Sequence, residues 1–266
     1  MIVDYHMHLR DERNDIAHRA GAVEPFVECA RERGVDEIGF TEHVYYFGST
    51  REVWTKRYQT ERCVYDLDAY VDAVLDAKRS GLPVKLGLEV DWFPPANERL
   101  GEILAPYPWD YLLGSVHWLD GASVDSAPDE GAWTRWPEDE VWRRYAEEWG
   151  RAARSGFFDV MSHPDLARIF GAEGADERYA ELAAAADEGG VALEISTAGL
   201  RKPVGKIYPD ERLLRLSAAP VTLASDAHEP QTVGFEIEQA VELARRNGRD
   251  TVSVFEGRSR RQEPLG

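Results

Sequence analysis

The chain has 266 residues, 49 of them acidic and 31 basic, for a formal net charge of −18. A surface this acidic excludes binding to the phosphate backbone of nucleic acid, or to an anionic membrane, as the main task. With only two cysteines, Cys29 and Cys63, a disulfide framework and a cysteine metal cluster are excluded as well.

Residues 2–5 form the first strand candidate. A helix over 23–33 follows, closed by Gly34, and 35–40 reads as the second strand. Asp66 can cap a helix whose apolar positions Leu67, Tyr70, Val71, Val74 and Leu75 share one face. Residues 84–89 form the third strand, with a short helix over 96–105 behind it. The apolar run 109–116 is the fourth strand, its composition that of a parallel strand covered on both faces. A helix over 138–154 follows Pro137, and 157–161 is strand five. Asp176 caps the next helix, Gly189-Gly190 ends it, and 191–195 is strand six. A helix at 210–217 precedes strand seven, 221–224. The last helix runs over 232–246, and a strand-like run, 252–255, precedes a basic stretch, 257–266, expected to be a flexible tail.

Seven strand–helix units without a linker predict one α/β domain over residues 1–266, built on a parallel sheet. No apolar run reaches the roughly 18 residues of a membrane helix. The first residues lack the basic and apolar regions of a signal peptide, so a cytoplasmic protein is expected.

A closed barrel and an open sheet both fit this count, and the histidines decide between them. Six of the seven sit at or just past predicted strand ends: His6 and His8, then His43, His117, His163 and His228, with only His18 elsewhere. Strand three ends in Glu89. Strand C-ends converge on one mouth of a barrel, whereas in an open sheet the outer ones are too far apart to share a site. Histidine nitrogens with a few carboxylates suit Zn²⁺, Mn²⁺ or Fe rather than Ca²⁺ or Mg²⁺, and this many donors suit two or three ions. Paired ions sharing a carboxylate are a common device for phosphoester hydrolysis.

Taken in order, Asp4-Tyr5-His6-Met7-His8, Thr41-Glu42-His43, Gly87-Leu88-Glu89, Gly114-Ser115-Val116-His117, Ser162-His163-Pro164-Asp165 and Ser225-Asp226-Ala227-His228 resemble the motifs of the polymerase and histidinol phosphatase superfamily. Within it the chain is similar, over essentially its whole length, to the monofunctional histidinol-phosphate phosphatases. The stretch Ser196-Thr197-Ala198-Gly199-Leu200-Arg201-Lys202-Pro203 is the marker of that branch. The resemblance implies a distorted (β/α)7 TIM-like barrel carrying three divalent ions. His6, His8, Glu89 and Asp226 would hold the first. Glu89 would bridge to the second, completed by His117 and His163. His43 and His228 would hold the third with one more group from the loop after strand one, either His18 or Asp15. Glu42 stands where the family commonly has Asp, next to a ligand it can orient.

The implied reaction is hydrolysis of L-histidinol phosphate by a hydroxide shared between two ions at Glu89, with Asp226 or His228 protonating the leaving alcohol. The alternative is another small phosphomonoester, such as a nucleotide. Arg201 and Arg168 are the candidate phosphate-binding cations. Two long segments can cover the mouth. Residues 44–65 carry Tyr45, Tyr46, Phe47, Trp54 and Tyr58, and residues 118–137 carry Trp118, Trp133 and Trp136. Asp91, Asp120 and Asp125 are open alternatives for meeting a substrate ammonium. The expected partner is a small phosphomonoester, with neither nucleic acid nor membrane.

Overall fold

The computed structural model describes residues 1–9, 18–19, 21–125 and 131–266. Seven parallel strands lie side by side: β1 (Val3–Asp4), β2 (Glu37–Phe40), β3 (Val84–Asp91), β4 (Tyr111–Ser115), β7 (Val160–Met161), β8 (Ala192–Ser196) and β9 (Val221–Ala224). The two strands numbered between β4 and β7 form a short antiparallel ribbon, β5 (Trp118–Leu119) and β6 (Ala122–Ser123), which sequence reasoning missed. The first and last barrel strands meet: Tyr5 donates its N–H to the Leu223 carbonyl at 3.0 Å, and Met7 bridges Ala227. The alternation of strands and helices fitted a barrel or an open sheet, the histidines at the strand ends favoured the barrel, and the sheet curls into one.

Helices cover the outside for reasons visible in the sequence. Between β2 and β3, α3 (Leu67–Arg79) starts at Asp66, whose side chain accepts the Asp68 N–H, and it buries Leu67, Tyr70, Val71 and Val74. Its neighbours in chain order are α1 (Glu24–Glu32), α2 (Arg57–Arg62), α4 (Asn97–Leu104) and α5 (Ala132–Arg135). Three acids, Glu138, Asp139 and Glu140, open α6 (Glu138–Ala153), where the helix dipole favours negative charge. The remaining helices are α7 (Asp176–Gly189), α8 (Glu211–Leu216) and α9 (Ile237–Arg246).

The N-terminal end of the barrel is filled by aromatic rings. Tyr111 crosses the interior and donates its hydroxyl to the Tyr5 carbonyl at 2.7 Å. Its side chain lies so close to β2 and β3 that a Cβ at Gly39 would stand 2.1 Å from the hydroxyl and one at Gly87 2.7 Å from the ring. Only glycine fits at those two positions.

The stretch 257–266, expected to be a flexible tail, is instead ordered. β10 (Thr251–Glu256) pairs antiparallel with β11 (Ser259–Pro264) through a two-residue turn, Gly257-Arg258. Both turn residues have positive φ, 54° and 65°, the geometry that matches the twist of a tight hairpin. Phe255 then stacks under Tyr5 and Tyr111, with ring centres at 6.0 and 5.4 Å, and closes the bottom of the barrel.

Candidate metal centre

The strand C-ends gather six histidines and two carboxylates into one buried cluster. Glu89, near the end of β3, lies at its centre and is fully buried. One of its oxygens, Oε2, faces His6 Nε2 at 3.5 Å, His8 Nε2 at 3.7 Å and His43 Nδ1 at 2.6 Å. The other, Oε1, faces His117 Nε2 at 3.6 Å and His163 Nε2 at 3.5 Å, and it accepts the Ser115 hydroxyl at 2.6 Å. Asp226 Oδ1 lies 3.6 Å from His6 Nε2 and 3.3 Å from His8 Nε2.

Three sets of donors converge tightly enough to share an ion, each within 4.8 Å: His6, His8 and Glu89; Glu89, His117 and His163; and His8, His43 and His228. The fit is supported by what these atoms lack. His6 Nε2 and His8 Nε2 are buried with no hydrogen-bond partner, and His43 Nδ1 and Glu89 Oε2 are buried with only each other, 2.6 Å apart. Burying a polar atom unpaired costs roughly 1–3 kcal/mol, so such atoms pointing at one another mark donors built for a cation. The predicted ligands His6, His8, His43, Glu89, His117, His163, Asp226 and His228 are all brought together here.

The local electrostatics agree. Burial alone would depress His6, but Glu194, Glu89 and Asp226 outweigh it and hold its pKa well above the ordinary histidine value. His8 rises to about 9, where burial is overcome by Asp226 and Glu42. His117 rises to about 10 against its burial, through the charge and hydrogen bond of Asp91. The carboxylates move the other way: despite burial, Glu89 is held well below the usual range by His43 and His6, and Asp226 by His6 and His228. His228 differs, depressed to about 4 by burial and by the charge of His8. The cluster thus holds ionised carboxylates whose charge is balanced by protons, which divalent ions can displace.

A layer of carboxylates behind the histidines fixes their rings. Glu194, on β8, sits 2.9 Å from His6 Nδ1 and accepts the His163 N–H at 3.1 Å. Asp91 sits 2.8 Å from His117 Nδ1. Such partners set which ring nitrogen faces the ion. Sequence reasoning missed Glu194; the signal was an acid inside the apolar run of strand six. Asp91 was read as a candidate for a substrate ammonium, and its burial against His117 assigns it to this layer instead. Asp4 was also missed as a support. It accepts Ser225 N–H at 2.9 Å, the Ser225 hydroxyl at 2.5 Å and Gly234 N–H at 2.7 Å, which pins the loop carrying Asp226 and His228. Asp226 itself adopts φ +52°, a strained conformation for a residue with a side chain, held by this surrounding network.

Two expected site residues stand elsewhere. His18 does not join His43 and His228. It is buried among Phe47, Tyr65 and Tyr70, and its Nε2 lies 3.3 Å from Glu42 Oε1. Glu42 Oε2 in turn lies 3.6 Å from His8 Nδ1, so His18 stands behind Glu42, and Glu42 behind His8. The third donor beside His43 and His228 is His8. Asp15, the alternative to His18, lies outside the described residues.

Arg168, expected at the phosphate, is 2 % exposed, and its charge is consumed. It donates to Asp165 at 3.2 Å, Asp210 at 3.0 Å and the Ile207 carbonyl at 3.2 Å, tying the loops after β7 and β8 together. Arg201 is placed differently. Its Nη2 donates to the carbonyls of Ser225 and Asp226 at 2.6 and 3.0 Å, while its buried Nη1 has no partner.

The two expected lid segments are mostly anchored by their rings. Tyr45, Tyr46, Phe47 and Trp54 are buried, and Trp54 donates to Thr50 at 3.0 Å. Trp133 donates to the Val124 carbonyl at 2.7 Å, and Trp136 lies under Arg144 and Arg135. Tyr58 and Trp118 remain at the mouth.

A parallel barrel with histidines and carboxylates packed unpaired at its strand C-ends defines a metal-dependent hydrolase. The model of the PHP domain matches residues 4–198. The chain is 33% identical over 251 residues to a protein of Deinococcus radiodurans named probable histidinol-phosphatase, covering 93% of this chain and 94% of that one. A Thermotoga maritima protein of the same name is 26% identical, with 90% of each chain covered. In three dimensions the fold is similar to histidinol phosphate phosphatase from Lactococcus lactis, solved with zinc, L-histidinol and phosphate, with a TM-score of 0.72, 20% identity and 98% of both chains covered. The chain belongs to the PHP domain family.

Proposed function

We propose that this protein is a phosphomonoesterase that hydrolyses L-histidinol phosphate to L-histidinol and phosphate. The observation that carries the reading is the set of unpartnered buried donors around Glu89, in a chain matched nearly end to end by relatives named probable histidinol-phosphatase. We assign three divalent ions, zinc, manganese or iron, to the three donor sets, with Asp226 added to His6, His8 and Glu89. Such ions would supply water activated at neutral pH and offset the charge that gathers on the phosphoryl oxygens.

The chain's own residues do the rest. Glu89 holds two donor groups in register through its two oxygens. Arg201 braces the Asp226 loop with Nη2 and offers Nη1 to a phosphoryl oxygen. Water adds to phosphorus as the phosphorus–oxygen bond to the alcohol breaks. Asp226, kept ionised by His6 and His228, is placed to take the proton at a carboxylate oxygen and return it to the leaving alkoxide. Cys29 and buried Cys63, both unpaired, suit a reducing cytoplasm.

Metal analysis combined with kcat/KM for a panel of phosphomonoesters, nucleotides included, tests the reading. L-Histidinol phosphate is expected to lead. An ester turned over a hundredfold better would replace it as substrate. His117→Ala is expected to lower the bound metal and remove nearly all activity with the circular dichroism spectrum unchanged; a full metal complement would overturn the assignment of the second set.

A further inference from the structure

Two buried serines stand behind Glu89, one from each of the motifs that supply the histidines of the second donor set. Ser115 ends β4 in Gly114-Ser115-Val116-His117, and Ser162 follows β7 in Ser162-His163. β4 and β7 pair in parallel with Gly114 opposite Met161, so the next residue of each brings the two hydroxyls together, 2.6 Å apart. The backbone holds them in place. The Ser115 carbonyl accepts the Trp92 N–H at 2.8 Å, and Ser162 donates its N–H to the Gly114 carbonyl at 3.0 Å.

Counting protons orders the hydroxyls into a chain. Ionised Glu89 has no hydrogen to give, so Ser115 donates to its Oε1 at 2.6 Å. The Ser115 oxygen is then open to accept, and the hydroxyl beside it is that of Ser162. The other acceptor near Ser162, the Gly114 carbonyl at 3.1 Å, already takes the Ser162 N–H. Ser162 therefore donates to Ser115, and Ser115 to Glu89. In a chain of this kind each hydrogen bond polarises the next.

The chain makes the two oxygens of Glu89 unequal. Oε1, on the side of His117 and His163, is tied to the barrel wall. Oε2 faces His6, His8 and His43 and has no hydroxyl or amide donor among the described residues. The last torsion of a glutamate is broad and does not by itself fix the plane of the carboxylate. Without a tether, the group is free to turn both oxygens toward one donor set.

We propose that Ser115, backed by Ser162, is a positioning residue that keeps Glu89 shared between the two donor sets, one oxygen to each. The proposal rests on the assignment of ions to those sets and does not depend on which ester is hydrolysed.

The test is calorimetric titration of the metal-stripped protein with zinc, for wild type, Ser115→Ala, Ser115→Thr and Ser162→Ala. The binding event that His117→Ala removes marks the second set. Ser115→Ala is expected to weaken that event about tenfold to a hundredfold, the scale for losing a partner behind a metal ligand, and to leave the others nearly unchanged. Ser115→Thr keeps the hydroxyl and is expected to restore most of the affinity. Ser162→Ala removes only the outer hydroxyl and is expected to weaken the same event several-fold. Unchanged or tighter binding there in Ser115→Ala overturns the proposal, as does a loss spread equally over all events. A stripped Ser115→Ala protein with lowered Tm and wild-type zinc affinity overturns it too, because the serine then serves the fold alone. If Ser115→Ala does not fold, Ser162→Ala decides on the same event. If wild type takes up zinc but hydrolyses no phosphomonoester, the substrate assignment fails and the titration still decides the positioning role. A wild type with no event that His117→Ala removes overturns the metal assignment and the proposal together.

Discussion

At the N-terminal end of the barrel, Tyr5, Tyr111 and Phe255 pack ring against ring, and the polar groups around them find partners. Tyr111 donates to the Tyr5 carbonyl, Tyr5 to Glu37, and Lys78 to Asp110 and Glu256 at 2.9 Å. At the C-terminal end, the same strands bring ionisable side chains together with several buried atoms left without partners. The first end gains stability from burial and satisfied hydrogen bonds. The second buries its side chains as deeply but leaves several of their polar atoms without hydrogen bonds, a cost that a bound cation would offset. The contrast separates what holds the barrel together from what it is for, and substitutions at the two ends should have different readouts.

The largest effect is expected at the centre of the mouth. Glu89→Gln removes the one charge shared by two donor sets. It should lower kcat/KM at least about a thousandfold, roughly 4 kcal/mol of transition-state stabilisation, and reduce metal content, with the fold retained by circular dichroism. Retention of even a tenth of wild-type activity would detach Glu89 from the chemistry. At the opposite end, Tyr111→Ala empties the space that Gly39 and Gly87 leave for the ring. A loss of about 3 kcal/mol of stability is expected, lowering Tm by roughly 10 °C, with metal content and activity kept at low temperature. Activity lost in step with Gln at Glu89 would show the two ends to be one unit.

Glu194→Gln tests the layer between. It keeps the shape but weakens the hold on the His6 ring, and a ten- to hundredfold fall in metal affinity or activity is expected. Titration of the metal-stripped protein with zinc measures it directly, and wild-type affinity would make Glu194 merely structural.

How much of this was legible in the sequence follows the same division. The gathering of His6, His8, His43, Glu89, His117, His163, Asp226 and His228 at one mouth could be read because residue type and strand end coincide at each. The supporting carboxylates Glu194 and Asp91 lie inside or at the end of strands, where one chain cannot show which histidine stands across the barrel. His18 and Arg168 were misplaced for a related reason. Each is a plausible partner by type, and each is bound to an acid, Glu42 for one and Asp165 with Asp210 for the other, whose reach depends on loop path rather than spacing. The terminal hairpin was missed because Gly257-Arg258 is a weaker turn signal than Asn-Gly, and because β11 is largely exposed and basic, with little apolar alternation to reveal it.

The smallest effect is expected where that hairpin meets the base. Glu256 pairs with Lys85 and Lys78, and these hydrogen bonds, Lys85 first, hold its carboxyl below the ordinary glutamate range. A carboxylate whose pKa is lower in the folded chain than in the unfolded one stabilises the fold above the unfolded value, about 4.3, and loses that contribution as pH falls through the folded value. The side chain is 61% exposed, so water and salt screen the pairs. Glu256→Gln should therefore cost less than about 1 kcal/mol at pH 7, less again in high salt, and nothing once the pH is low enough to protonate the wild-type carboxyl. Urea melts of both proteins from pH 7 downward measure it. Curves that converge with falling pH fit an ion pair that fastens the hairpin to the base, whereas a constant gap would mean that Glu256 acts through packing and carries no charge-dependent role there.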